Sequence, residues 1–392
     1  LLDKVARFDT AKKVMAADVY NYFRVIESAQ TNTVKYQGKE IIMLGSNNYL
    51  GLTNHPKVKE AAQAAIAKYG TGCAGSRFLN GTLDIHIELE DKLATLVGKE
   101  KALVFTTGFM VNQGVLSSLV GRNETIIVDR TDHASIIDGA RLSFGNVRKY
   151  KHNDMENLEL VLESEKDNAK LIIVDGVFSM EGDIAPLPDI LALAAKHDAL
   201  VMVDDSHATG FVGPTGRGTA EHYGVMDRID IYTSTLGKAL GGGSGGFTAA
   251  SQAIIDLLRQ RSRPYLFSNT LTPALAAAGI RSIELLSASG ELRELLQRNT
   301  QHFRKQMTSA GFDIKPGDHP IVPVMLYEAS LAQQMAERLL AHGIYVIGFF
   351  YPVVPEGQAR IRIQISASHE PEHLDRAISA FTCVGKELGI VS

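Results

Sequence analysis

Between Ala102 and Ala250 the chain alternates short β-branched runs with helical patterns, and this alternation leaves few folds open. The candidate strands are ALVFTT (102–107), ETIIVD (124–129), NVRKYKH (146–152), AKLIIVDGV (169–177), ALVMVDD (199–205), RIDIYTST (228–235) and GGFTAA (245–250). Most have a helical pattern before or after, such as LPDILALAAKHD between LIIVDG and LVMVDD. Apolar runs without polar alternation describe strands covered on both faces, and strand–helix alternation describes parallel neighbours joined by crossovers. The expectation is an α/β fold: a mostly parallel, seven-stranded sheet with helices on both faces. Ligands bind such sheets at the carboxyl ends of the strands. There the chain places Asp175, Asp204, His207 and Lys238.

The rest of the chain frames this core. Residues 1–45 read as an arm, with a charged helix from Asp3 to about Ala17 and a short extended pair around VKYQGKEIIML. Residues 46–275 form the large domain. Residues 276–392 read as a smaller α+β domain with strands HPIVPVML, IYVIGFF and ARIRIQIS and a last helix from about Pro371 to Leu388. A formal charge of −4 gives no reason to expect nucleic acid or an anionic membrane as partner. Apolar runs are broken well before a spanning length, and LLDKVARFDTAKK lacks the apolar core of a signal peptide. Two distant cysteines, Cys73 and Cys383, make no disulfide framework and suit a reducing cytoplasm.

Five features carry chemistry. Lys238 lies in STLGKALGGGSGG, with five glycines in the six positions after Leu240. A lysine amine attacks a carbonyl only when deprotonated; burial or a nearby positive charge favours that form, and attack on an aldehyde gives a Schiff base. Glycines let backbone approach a bulky planar ligand, and Thr235 can offer a hydroxyl to a phosphate. A flexible loop with an incidental lysine is the competing account. In VMVDDSHATG a buried strand ends in Asp204 and Asp205, with His207 following. A carboxylate there can keep a pyridine nitrogen protonated, and His207 can hydrogen-bond a phenolic oxygen of that ring; capping of a helix is the alternative. DDSH alone lacks the ligands of a metal site, so no metal is expected.

ALVFTTGFMVNQGVLSSL runs through Gly108 into a helix whose first N–H groups can bind phosphate, although neither the Walker nor the dinucleotide motif is present. His133, in DRTDHASIIDG, can stack on a ring. In ARIRIQIS, alternation places Arg360 and Arg362 together on a polar face, where an arginine can clamp a carboxylate. Each feature has an ordinary structural explanation. Together they specify an aldehyde for Lys238, a ring nitrogen for Asp204, a ring face for His133, a phosphate for Gly108 and Thr235, and a substrate carboxylate for Arg362. Pyridoxal 5′-phosphate has all the cofactor features, and an amino acid supplies the carboxylate.

The segments SNNYLGL, GTGCAGSRFLNGT, DHASIIDG, VDGVFSMEGD, VMVDDSH, TLGKALGG and RPYLFSNTLTP resemble, in order and over nearly the whole chain, the α-oxoamine synthases. These are pyridoxal-phosphate enzymes of fold type I. The resemblance implies that Lys238 carries the cofactor as a Schiff base, that Asp204 meets the pyridine nitrogen and His207 the ring oxygen, and that His133 stacks on the ring. Ser179 is implied near the ring oxygen, with Gly108, Phe109 and Thr235 on the phosphate. Ser268 and Asn269 are implied to reach the phosphate of a partner subunit, hence an obligate homodimer. Asn47 and Arg362 are implied to meet the amino-acid substrate. Many aminotransferases of this fold have D-x-x-Y where this chain has D-D-S-H, which favours the synthases.

The implied reaction is a Claisen-type condensation of an amino acid with an acyl-CoA, releasing CoA, with decarboxylation in some members only. GFFYPVVPEGQARIRIQIS resembles members that join glycine to acetyl-CoA. YNYFRVIESAQ and KYGTGCAGSRFLNGTLDIH look at least as much like members that join serine to a long-chain acyl-CoA, and there Arg24 either meets substrate or makes a structural ion pair. An aminotransferase and a non-catalytic phosphate-ligand binder are the other classes to be tested.

Overall fold

The computed structural model describes residues 1–8 and 22–392. The expected helix from Asp3 to about Ala17 is seen over Leu2–Ala6, and its part from residue 9 onward lies outside the described residues. The strands are β1 (Thr33–Tyr36), β2 (Lys39–Met43), β3 (Lys101–Phe105), β4 (Glu124–Asp129), β5 (Asn146–Tyr150), β6 (Ala169–Asp175), β7 (Ala199–Asp204), β8 (Ile231–Thr235), β9 (Gly246–Ala250), β10 (Ile321–Tyr327), β11 (Ile344–Tyr345), β12 (Gly348–Phe349) and β13 (Ala359–Gln364).

The larger of two compact units comprises residues 50–179 and 183–293. Its sheet has the order β3-β9-β8-β7-β6-β4-β5. Only β9 runs antiparallel to its neighbours; the other pairings are parallel. All seven strands expected between 102 and 250 are therefore present in one mostly parallel sheet. Central strands such as β6 are buried at nearly every position, as the uninterrupted apolar runs required. Val111, Val115 and Leu116 of the helix Gly108–Leu119 pack with Leu103, Ile126, Ile173, Met202 and Ile231 of the sheet. Each such buried side chain contributes ~1.5–3 kcal/mol.

The smaller unit comprises residues 1–49, 180–182 and 294–392. Here the sequence expectation needs correction. The arm is not separate, because β2 pairs in parallel with β11, and Leu44 and Tyr49 carbonyls accept from the Gln364 and Ala367 amides. The boundary near 275 also moves, because the helix Pro273–Ala288 packs on the helices Pro56–Tyr69 and Asp84–Val97 of the larger unit. IYVIGFF is not one strand: β11 joins β2, whereas β12 joins β13 in a second sheet, order β10-β13-β12. A Cβ at Gly348 would lie 2.8 Å from the carbonyl oxygen of Ala332, so the chain passes the helix Ala329–Ala341 there only as glycine.

Candidate active site

In the larger unit, parallel register lines up the carboxyl ends of the strands. Asp175 of β6 pairs with Asp204 of β7, and Asp204 with Thr233 of β8. The pleat sends neighbouring residues in opposite directions, and this separates Asp204 from Asp205. Asp205, fully buried, accepts from the Thr219 amide at 2.8 Å and the Thr219 hydroxyl at 2.6 Å, and burial pushes its pKa up to about 7. It serves the start of the helix Thr219–His222. Asp204 accepts from the Ser206 amide at 3.0 Å and from Asn112 Nδ2 at 2.6 Å. His207 follows in the turn, buried.

His133 caps the helix Ala134–Leu142. Its amide donates to Asp175 at 2.8 Å, and its ring meets Phe109 edge-on at 6.3 Å between centroids. Desolvation pulls its pKa below the ordinary histidine value; the Asp204 charge opposes this and the Lys238 charge adds to it. Asp175, buried beside Asp204, is held well above the usual carboxylate range by desolvation first and the neighbouring charge second. Ser179 lies half-buried in the loop after β6.

Lys238 follows β8, half-buried. Several of the glycines after it lie hard against other parts of the chain. A Cβ at Gly242 would lie 1.8 Å from Thr53 Oγ1, one at Gly243 2.7 Å from Leu275 Cδ2, and one at Gly246 2.6 Å from the Gly108 Cα. These glycines make room for neighbouring chain, and the last contact packs β9 against the start of the helix Gly108–Leu119. A Cβ at Gly108 would in turn lie 3.0 Å from the Thr235 Cβ. Thr235 accepts from the Gly237 amide at 3.0 Å and donates to the Gly245 carbonyl at 2.9 Å, which ties the lysine turn together. The Gly108–Thr235 approach brings a helix N-terminus to a hydroxyl, a natural phosphate seat. Ser268 ends the helix Arg263–Phe267, and Asn269 beside it is exposed.

The smaller unit assembles the other predicted pair. Gln364 Nε2 donates to Asn47 Oδ1. Arg362 donates to Gln364 Oε1 at 3.4 Å and lies 4.9 Å from the centre of the Phe349 ring. The polar face expected of β13 is not solvated. Arg360 has no exposed surface and donates to Glu181 at 2.6 Å and to the Met180 carbonyl at 3.1 Å. Alternation alone does not distinguish a wet face from one covered by further chain. Arg24 forms an ion pair with Glu337 at 2.9 Å, the structural alternative.

Asn112 and Ser135 were missed. Asn112 Nδ2 also donates to Ser135 Oγ at 2.9 Å, its Oδ1 accepts from Thr233 at 3.0 Å, and Ser135 Oγ lies 2.7 Å from His133 Nδ1. The available signal was an amide on the buried stripe Val111, Asn112, Val115, Leu116. A groove of about 660 Å³ in the same unit contains none of these residues; its Lys92 pairs with Glu284 at 3.2 Å.

Sheet order, strand-end carboxylates and the post-strand lysine define a class, and comparison with known proteins agrees. The chain belongs to the aminotransferase class I and II family, whose description matches residues 39–381. It is 51% identical over 381 residues, 96% of each chain, to 2-amino-3-ketobutyrate coenzyme A ligase of Escherichia coli K12. It is 43% identical over 393 residues to serine palmitoyltransferase of Sphingobacterium spiritivorum, covering 100% of this chain and 98% of that one. A solved serine palmitoyltransferase from S. paucimobilis, with a bound PLP–myriocin aldimine, superposes with a TM-score of 0.96 at 36% identity over the whole of both chains.

Proposed function

We propose that this chain is a pyridoxal-phosphate-dependent acyltransferase that condenses glycine with acetyl-CoA to give 2-amino-3-ketobutyrate and CoA. The observation that carries the reading is the 51% identity, over 96% of both chains, to ligases of that name. The donor set fits the cofactor: a buried carboxylate with both oxygens held, a half-buried lysine, a histidine against an aromatic ring, and a helix N-terminus against Thr235.

Bound there, pyridoxal phosphate supplies an electron sink conjugated to the substrate Cα. Lys238 would hold the cofactor's aldehyde carbon and, as a free amine, would take the proton from the substrate Cα. Asp204 keeps the proton on the pyridine nitrogen. His133 covers one ring face, and His207 and Ser179 hydrogen-bond the ring oxygen. Gly108, Phe109 and Thr235 bind the phosphate; Ser268 and Asn269 reach the phosphate of the partner in a homodimer. Asn47 and Arg362 hold the substrate carboxylate, the guanidinium fork matching its two oxygens. Two free cysteines support a cytoplasmic location, and the ligase relatives support a place in threonine breakdown. No described helix is long and apolar enough to cross a membrane.

The full-length match to serine palmitoyltransferase supports the alternative, serine or alanine with a long-chain acyl-CoA. Glycine, serine and alanine, each offered with acetyl-, succinyl- and palmitoyl-CoA, decide between them by CoA release. Turnover confined to serine with palmitoyl-CoA overturns the acetyltransferase reading. Aminated product from an oxo acid without CoA makes the chain an aminotransferase. Loss of the visible absorption of lysine-bound cofactor in Lys238→Ala is expected; its persistence removes Lys238 from the role.

A further inference from the structure

Asn112 is 1% exposed, and its carboxamide makes directed hydrogen bonds to three buried residues. The directions follow from the chemistry of the groups. An ionised carboxylate only accepts, so the NH2 of Asn112 faces Asp204 and its oxygen faces Thr233, whose hydroxyl donates. The second N–H goes to Ser135 Oγ. Ser135 Oγ accepts from Asn112 and lies 2.7 Å from His133 Nδ1, to which it gives its proton because the Ser135 amide already makes that nitrogen an acceptor. The Ser135 amide also points at Nδ1, at 3.2 Å. A ring nitrogen that receives two donors carries no proton, so the neutral imidazole holds its proton on Nε2.

We infer that Asn112 is a positioning residue for the cofactor ring: it fixes the rotamer of Asp204 and, through Ser135, the tautomer of His133. The inference rests on the assignment of pyridoxal phosphate to this site. One buried amide thus sets both the group proposed for the ring nitrogen and the group proposed for the ring face. A purely packing role would not couple it to Asp204.

The test is a double-mutant cycle on the purified holoenzyme with Asn112→Leu and Asp204→Asn, read by the dissociation constant of pyridoxal phosphate and by the pH titration of its visible absorption. In the wild-type background, N112L weakens cofactor retention roughly tenfold or more and shifts the titration midpoint by about half a unit or more. In the D204N background it changes retention less than about twofold. Unchanged retention and midpoint in N112L, or losses that add in full, overturn the inference. If N112L does not fold, Asn112→Ser takes its place in the same cycle. Nitrogen NMR of the wild type should find Nδ1 of His133 unprotonated; a protonated Nδ1 overturns the tautomer. A wild-type chain that takes up no pyridoxal phosphate overturns the functional reading itself, whereas normal uptake with an unchanged variant overturns only the role of Asn112.

Discussion

At the end of β7 two acidic neighbours, Asp204 and Asp205, are parted by the pleat; in β13 two arginines, Arg360 and Arg362, share a face and are parted by what lies along it. Asp205 turns to Thr219, and Arg360 to Glu181 and two backbone carbonyls. Asp204 and Arg362 are held instead by amides and an aromatic face, Asn112 for one and Gln364 with Phe349 for the other. In each pair one charge is tied into the structure, and the other is the one proposed for chemistry. Likeness in sequence therefore says little about likeness of use; the partners decide.

Substitutions can break that contrast. The largest effect is expected for Asp204→Asn, a fall in kcat of roughly 10²–10³ with little change in unfolding; kcat within threefold of the wild type would move the ring-nitrogen role elsewhere. Glu181→Gln leaves the Arg360 guanidinium buried without its carboxylate, and denaturant unfolding should show a loss of about 3 kcal/mol. Arg362→Leu should raise the KM for glycine roughly 10–100-fold while leaving the unfolding midpoint near that of the wild type. If it unfolds as readily as E181Q, both arginines are structural and the contrast fails.

Asp205→Asn is the mildest, about 1 kcal/mol of stability and less than a twofold change in kcat. It also carries a pH signature. Burial raises the folded-state pKa of Asp205 from 3.8 to about 7, so the native state binds the extra proton between those values. The contribution of Asp205 is full below about pH 4 and is lost as pH rises through about 7. The stability of the wild type relative to D205N should fall across that window; a flat difference would mean that Asp205 stays ionised throughout.

The sheet was legible because most of its strands are apolar runs ended by a polar residue, and Lys238 and Asp204 because they stand at such ends. Other features depended on what the chain folds against. The glycines after Leu240 read as room for a ligand or as an incidental flexible loop, and the nearness of Thr53, Leu275 and Gly108 is nowhere in the local pattern. Alternation put both arginines on one face of β13, and only Glu181 and Met180, which take up Arg360, set it apart from Arg362. Asn112 looked like one polar residue in a helix, and its partners Asp204 and Thr233 come 92 and 121 positions later. Patterning locates surfaces, whereas pairing across such distances is a property of the closed chain.

Asn47 meets Gln364 across 317 positions, and β2 finds its parallel neighbour only at Ile344. During synthesis, the segment bearing Asn47 leaves the ribosome long before the residue that holds it exists. The smaller unit thus forms after translation has passed Gln364, when the larger sheet already has all its strands. A nonsense codon between Ala250 and Gln364 would leave a chain that contains the lysine turn and lacks the amide partner of Asn47.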